Sequence, residues 1–285
     1  MLDGGMHAKS GAMTGPFRIN RTLIAVSGPD TRSFLNNLLT QDLERLEPRG
    51  VTYAALLSPQ GKVSADMLAW AREDGSFILD ADPARGEALL RRLSMYKLRA
   101  QAALSDVTSG WAVLVAEQPF DGARRDPRLP GLGWRKIDTQ ESAAACAEGA
   151  AAYEAMRLAQ GVPDLARDAG PDEIFALEAL LEELNGVAFD KGCFIGQENV
   201  SRMKRRATTR KKFCPLVFDG DALDFGTPVL ASDAEIGTVR TGAPGRAIAL
   251  LRLDRALAAP ALTAGGRPVR LAPPPWLALP QREAP

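Results

Sequence analysis

Chemistry in this 285-residue chain rests on few side chains, because it contains three cysteines and a single histidine. His7 stands in the leader MLDGGMHAKSGAMTGP, so Ser-His or Cys-His pairs and histidine-based metal sites are almost excluded. A carboxylate, a thiol, a lysine or a bound cofactor must do any work. Cys146, Cys193 and Cys214 are too far apart for a disulfide framework or a self-contained zinc site, so each is judged as a thiol. Cys193 stands apart from the other two. It lies in FDKGCFIGQENVSRMKRR, where Gly192 and Gly196 permit backbone conformations closed to other residues and the run after Gly196 has helical composition. That order puts Cys193 just before a helix N-terminus with Lys191 beside it, and both favour a thiolate. Glu198 acts against it. Free cysteines most often serve as small buried hydrophobes, a role that suits Cys146 among alanines and Cys214 in a strand-like run.

Positive charge is concentrated where the chain as a whole is neutral. SRMKRRATTRKK contributes Arg202, Lys204, Arg205, Arg206, Arg210, Lys211 and Lys212 with no acidic residue, against a formal net charge of zero. Such a run is either a solvated helix face or an anion-binding surface. It lacks the interleaved aromatics of a single-strand nucleic-acid groove, which argues against nucleic acid as a partner. Asp66, Asp80 and Asp82 are the carboxylates open to one-carbon chemistry, and none has a distinguishing context. No apolar run approaches the ~18 residues of a membrane helix, and the leader lacks the apolar centre of a secretory signal. The expectation is a cytoplasmic protein with a disordered leader over residues 1–16.

The elements that must position these groups follow from periodicity. RTLIAVS reads as a buried strand, and Gly28-Pro29-Asp30 starts a helix with Phe34, Leu35, Leu38 and Leu39 at helical spacing. VTYAALLS, KVSADMLAW and FILDA read as successive antiparallel strands, with Pro59-Gln60-Gly61 turning the first pair. Asp82-Pro83 opens a helix through Tyr96. Glu141 to Gln160 and Asp172 to Leu184 are predicted as helices, the first stopped by Gly161. Beyond the basic run, FCPLVF, TPVLAS, EIGTVRT, AIALLRL and PVRLA predict a small β-barrel.

KGCFIGQE resembles the K-G-C-[FY]-x-G-Q-E signature of the YgfZ proteins and their mitochondrial relatives, through Lys191, Gly192, Cys193, Phe194, Gly196, Gln197 and Glu198. SGPDTRSFLNNLLTQDL, AALLSPQGKVSADML, MYKLRA and DPRLPGLGWR are similar to other blocks of that family. The resemblance implies an α+β fold like the glycine cleavage system T-protein, an aminomethyltransferase, with three domains around a central tetrahydrofolate channel. It implies a discontinuous first domain (17–50 with 136–207), a ferredoxin-like domain (51–135) and a C-terminal β-barrel with tail (208–285). The implied function is a tetrahydrofolate-binding accessory protein for assembly or repair of iron–sulfur clusters, with Cys193 as functional thiol. A lone thiolate cannot hold a cluster, so an A-type carrier or a client iron–sulfur enzyme would share a transient one with Cys193. Lys191, Gly192, Gly196, Gln197 and Glu198 are the implied folate-binding residues of the signature. The T-protein's R-L-E-A-G block reads RLAQG here, so Ala159 replaces a carboxylate and Glu178 is the nearest substitute. Arg157 and Arg202 are expected to meet the acidic folate tail. The alternative is a folate-dependent one-carbon transferase, which needs a carboxylate and no cysteine.

Overall fold

Runs rich in Val, Ile, Leu and aromatic residues form strands, and the punctuation read from Gly, Pro and Asp ends them. The computed structural model describes residues 15–206 and 209–279. Almost all of the leader, His7 included, lies outside the described residues. The N-terminal part contains β1 (Phe17–Ile19), β2 (Thr22–Ser27), α1 (Thr31–Leu38), β3 (Val51–Leu57), β4 (Val63–Ala71), β5 (Phe77–Ala81), α2 (Pro83–Lys97), β6 (Ala103–Asp106), β7 (Trp111–Ala116), β8 (Arg124–Arg125) and β9 (Trp134–Thr139). There follow α3 (Gln140–Ala143), α4 (Ala150–Gln160), α5 (Leu165–Asp168) and α6 (Gln197–Arg206). The C-terminal part holds β10 (Lys211–Phe218), β11 (Pro228–Ala231), β12 (Ala234–Ala243), β13 (Arg246–Arg252), α7 (Leu253–Ala258), β14 (Leu262–Ala264) and β15 (Arg267–Leu271).

These strands make two antiparallel sheets, in the orders β3-β4-β5-β2-β6 and β1-β7-β9-β8, and a closed barrel, β10-β13-β12-β11-β14-β15. The α+β class and the C-terminal barrel are as expected. Sheet membership cuts across the expected segments, however. β2, from residues 17–50, pairs with β5, while β1 pairs with β7. A strand needs a neighbour for its hydrogen bonds, and both sheets recruit theirs from either side of residue 51. One core joins the three layers: Tyr53 and Leu57, Val113 and Val115, and Phe213 and Leu250 belong to the same buried cluster.

Local signals set several ends. Asp82 accepts from the Ala84 N–H at 2.9 Å with Pro83 in the first turn of α2, and Gly161 closes α4 at φ 70°. Two predicted helices are corrected. Residues 141–160 split into α3 and α4, because the chain between them pairs with β1: Arg18 N–H donates to Ala147 O and Gly149 N–H to Arg18 O, each at 2.8 Å. Cys146 therefore sits in a turn, half-buried. Residues 172–184 form consecutive turns and no helix, with Asp172 and Leu180 at positive φ. Ile174, Ala176, Leu177, Ala179, Leu180, Leu181 and Leu184 are all buried there. Their backbone is shared outward, Val63 N–H to Ile174 O at 2.9 Å and Phe213 N–H to Glu178 O at 3.2 Å, so tertiary pairing overrides the local helical pattern.

Candidate functional site

The Cys193 loop is pinned on both flanks. On one side the Lys191 ammonium is buried and donates to the carbonyls of Asn36, Leu39 and Gln41 at 2.6, 2.8 and 2.9 Å. Those oxygens lie at and beyond the C-terminal end of α1, where unpaired carbonyls and the helix dipole favour a cation. Burial lowers the Lys191 pKa to about 8, with Asp42 and Glu44 opposing. All three of its donors are committed to this anchorage, so Lys191 positions the loop and has none left for a folate. Its Nζ also lies 5.4 Å from the centre of the buried Phe194 ring.

On the other side, Gly196 has φ +80°, and a Cβ there would come within 2.7 Å of Ser58 O and 2.9 Å of Gly61 Cα. Gly61 is also at φ +80°, with its own imagined Cβ 2.9 Å from Asn199 Cβ. Two bare backbones thus pack directly, the Pro59-Gln60-Gly61 turn against the start of α6. Gly192 differs: a Cβ there meets nothing within 4 Å and its φ is not positive, so the structure gives no steric reason for glycine. Cys193 is exposed, and Phe194, Ile195 and Gly196 separate it from Gln197, the first residue of α6. The helix starts directly after Gly196 as expected, and the tight Gly196 turn leaves three residues between the thiol and its N-terminus. Gln197 is half-buried and Glu198 exposed in the first turn of α6.

α6 joins this loop to a cleft. Asn199, Arg202 and Met203, spaced to share one helix face, line a cavity of about 500 Å³ with Lys62, Phe175, Glu178 and Lys211. The cleft brings together Glu178 and Arg202, and adds Lys62 and Phe175, which sequence reasoning missed. The turn before β4 was legible as a turn, but not that Lys62 at its end would face α6. Burial raises the Glu178 pKa, while the Phe175 N–H, at 2.9 Å from Oε2, and the charges of Lys211 and Lys62 oppose the rise. Glu173, also on the wall, is paired with Arg240 at 2.8 Å.

Arg157 is corrected. Its guanidinium is 2% exposed and fully engaged by Glu154, Val162 O, Asp168 and Thr241 Oγ1, tying α4 to the barrel strand β12. It is unavailable to a folate tail. Asp80 is buried between Arg21 and Arg135, Asp82 caps α2, and Asp66 accepts from the Tyr53 hydroxyl at 2.9 Å; none lines the cleft. Among the described residues, no group of three or more His, Cys, Asp or Glu is placed to hold a metal, so a cluster at Cys193 needs outside ligands. No described helix is long and apolar enough to cross a membrane.

Residues 20–119 match the GCVT N-terminal domain, and residues 210–279 match the C-terminal beta-barrel domain of CAF17. The mitochondrial iron–sulfur cluster assembly factor IBA57 of Homo sapiens is 32% identical over 279 residues, covering 85% of this chain and 78% of the human protein. The chain belongs to the IBA57 family. The mouse protein of that name is 30% identical, covering 88% of this chain and 81% of its own length. Aminomethyltransferase T of the Bartonella henselae glycine cleavage system superimposes with a TM-score of 0.77 at 17% identity, over 94% of this chain and 88% of that one, which establishes a shared fold. IBA57 proteins are relatives of YgfZ and not YgfZ itself, so the resemblance drawn from KGCFIGQE is corrected to this neighbouring family. The cytoplasmic expectation is overturned as well, since the IBA57 relatives are mitochondrial by name.

Proposed function

We propose that this protein acts in iron–sulfur cluster assembly, with Cys193 presenting its sulfur to a cluster that a partner also ligates. The observation that carries this is the setting of Cys193, an exposed thiol on a loop clamped by the Lys191 ammonium and the Gly61–Gly196 contact. Clamping holds a soft ligand at a defined position while leaving its outer side open to a second protein. Iron prefers several thiolates and this chain offers one there, so an A-type carrier or a client iron–sulfur enzyme would supply the rest.

The cleft beside α6 fits a reduced folate as a second ligand. Its volume lies within the range of small-molecule sites, ~300 to 1,000 Å³. Lys62, Arg202 and Lys211 are suited to the carboxylates of the glutamate tail, Phe175 to the flat pterin, and Glu178 to its ring donors. A folate bound there would supply a one-carbon carrier, and the residues of the chain would bind and orient it. A transferase is the weaker reading. It needs an ionised carboxylate near the reacting nitrogen, whereas Glu173 is held by Arg240 and burial favours the neutral form of Glu178.

Two measurements test the two parts separately. In cells defective in cluster assembly, Cys193→Ser should fail to restore iron–sulfur enzyme activity while Cys146→Ser restores it; full rescue by Cys193→Ser overturns the thiol role. In calorimetry with tetrahydrofolate, the wild type should bind and Lys62→Ala should bind more weakly. Absence of heat at millimolar ligand removes the folate and leaves the thiol role standing.

A further inference from the structure

A second cleft, of about 490 Å³, opens where the β4–β5 hairpin meets the β8–β9 ribbon. It shares no lining residue with the cleft beside α6. Lys62 immediately precedes β4 and Trp70 stands near its far end, roughly 26 Å apart at ~3.3 Å per residue. The floor is apolar. Trp70 and Ile78 are directly opposed across the β4–β5 pair, so their side chains lie next to each other on one face, and Ile137 of β9 completes the surface.

The rim carries Arg49, Arg72, Arg124 and Lys136 against Glu73 and Asp74, so it is net cationic and only partly neutralised. Arg49 pairs with Glu73 at 2.7 Å and Lys136 with Asp138 at 2.8 Å. Arg72 and Arg124 form no salt bridge among the described residues, although the Arg72 charge, after the Ser76 hydrogen bonds, helps hold the Asp74 carboxyl below its ordinary value. Both are nevertheless oriented: the Arg72 guanidinium lies 5.1 Å from the centre of the Trp111 ring, and Arg124 Nε donates to Arg49 O at 3.2 Å. The carbonyl at the receiving end belongs to a non-glycine residue at φ +61°, a strained conformation. Trp70, 8% exposed, has a buried indole N–H with no hydrogen-bond acceptor among the described residues, although buried indole donors ordinarily find one. An apolar floor and two oriented guanidinium groups therefore coincide in one concavity.

We propose that this cleft binds a small planar anion, its aromatic body on Trp70 and Ile78 and its carboxylate or phosphate at Arg124 and Arg72. The size favours a small molecule over a protein partner, whose interface spreads over a far larger and flatter area. Guanidinium forks suit planar carboxylate and tetrahedral phosphate alike.

The test uses 8-anilinonaphthalene-1-sulfonate, a flat apolar body with one anionic group, titrated into the full-length protein and read by its fluorescence. One saturable site is expected, with Kd raised at least about tenfold in Arg124→Gln and unchanged in Arg202→Gln. Arg124 is exposed on a two-residue edge strand, so its replacement leaves the fold intact, and a thermal melt of the variant checks this. Competition by salicylate against phenyl phosphate then reports which acid group the cleft prefers. Absence of saturable binding, equal Kd in wild type and Arg124→Gln, or loss of binding in Arg202→Gln alone overturns the proposal.

Discussion

The Cys193 loop and the barrel strand carrying Cys214 place one side chain in opposite surroundings. Cys214 is 0% exposed within the barrel core, its Sγ 3.6 Å from Lys212 O, and burial raises its pKa to about 12. Cys193 is exposed, and the groups that hold its loop are a buried ammonium and two touching glycines. In the barrel the sulfur is the packing; in the loop, packing is done by Lys191, Phe194 and Gly196 so that the sulfur need not take part. A thiol freed from structural duty is available for ligation, and this difference, more than cysteine count, separates functional from inert.

Alkylation should expose the contrast most strongly. With iodoacetamide at neutral pH, peptide mapping should find Cys193 modified at least about a thousandfold faster than Cys214, which reacts only when the barrel opens and whose thiolate is scarce. Similar rates at the two positions would break the distinction. Next comes the seam between the barrel and the rest. Arg157→Met removes the cation from Asp168 and Glu154 while Asp168 stays buried, so a loss of about 3–5 kcal/mol is expected in urea unfolding. A loss under about 1 kcal/mol would mean that the barrel is held by its apolar contacts alone.

Glycine substitutions in the loop should diverge by a smaller margin. Gly196→Ala forces a side chain into a positive φ and against Ser58 O, for a cost of about 2–4 kcal/mol together with loss of cluster-assembly activity. Gly192→Ala meets open space and should change thermal stability by less than about 0.5 kcal/mol. Equal effects from both would mean that the Gly61–Gly196 contact does not hold the loop.

Signals confined to one stretch of chain were legible: the barrel strands from their alternation, α2 from Asp82-Pro83, and Cys193 from its motif. What depended on distant segments was not. The apolar spacing of residues 172–184 is helical, yet the apolar residues of the segment are buried and its backbone bonds to β4 and β10. Arg157 looked free to meet an anion because its partners Asp168 and Thr241 come from outside its helix. The Lys191 ammonium could be read as a neighbour of Cys193, but not as the cap of a helix over 150 residues earlier in the chain. Lys62 joined the cleft through long-range contacts, its bridge to Phe175 and the packing of Gly61 against α6. In each case the missing information was a long-range contact.

The two regions should also answer alkali in opposite directions, which is the smallest effect and needs paired variants to be seen. Lys191 has an ordinary value of 10.5 and about 8 in the folded protein. Between those limits the unfolded chain keeps a proton that the folded one has lost, so this group makes stability rise with pH. Cys214 has an ordinary value of 9.0 and about 12 when folded. Between those limits the folded state keeps the proton, so this group makes stability fall as pH rises. Each slope is at most about 1.4 kcal/mol per pH unit, and in the wild type they largely cancel between pH 9 and 10.5. Substitution separates them. Relative to wild type, Cys214→Ala should gain stability from pH 9 to 10.5 in urea titrations, and Lys191→Met should lose it from pH 8 to 10.5. Flat difference curves for Lys191→Met would show that the three carbonyl acceptors hold its ammonium charged against burial. The loop clamp would then stay cationic throughout that range, while the barrel thiol alone responds.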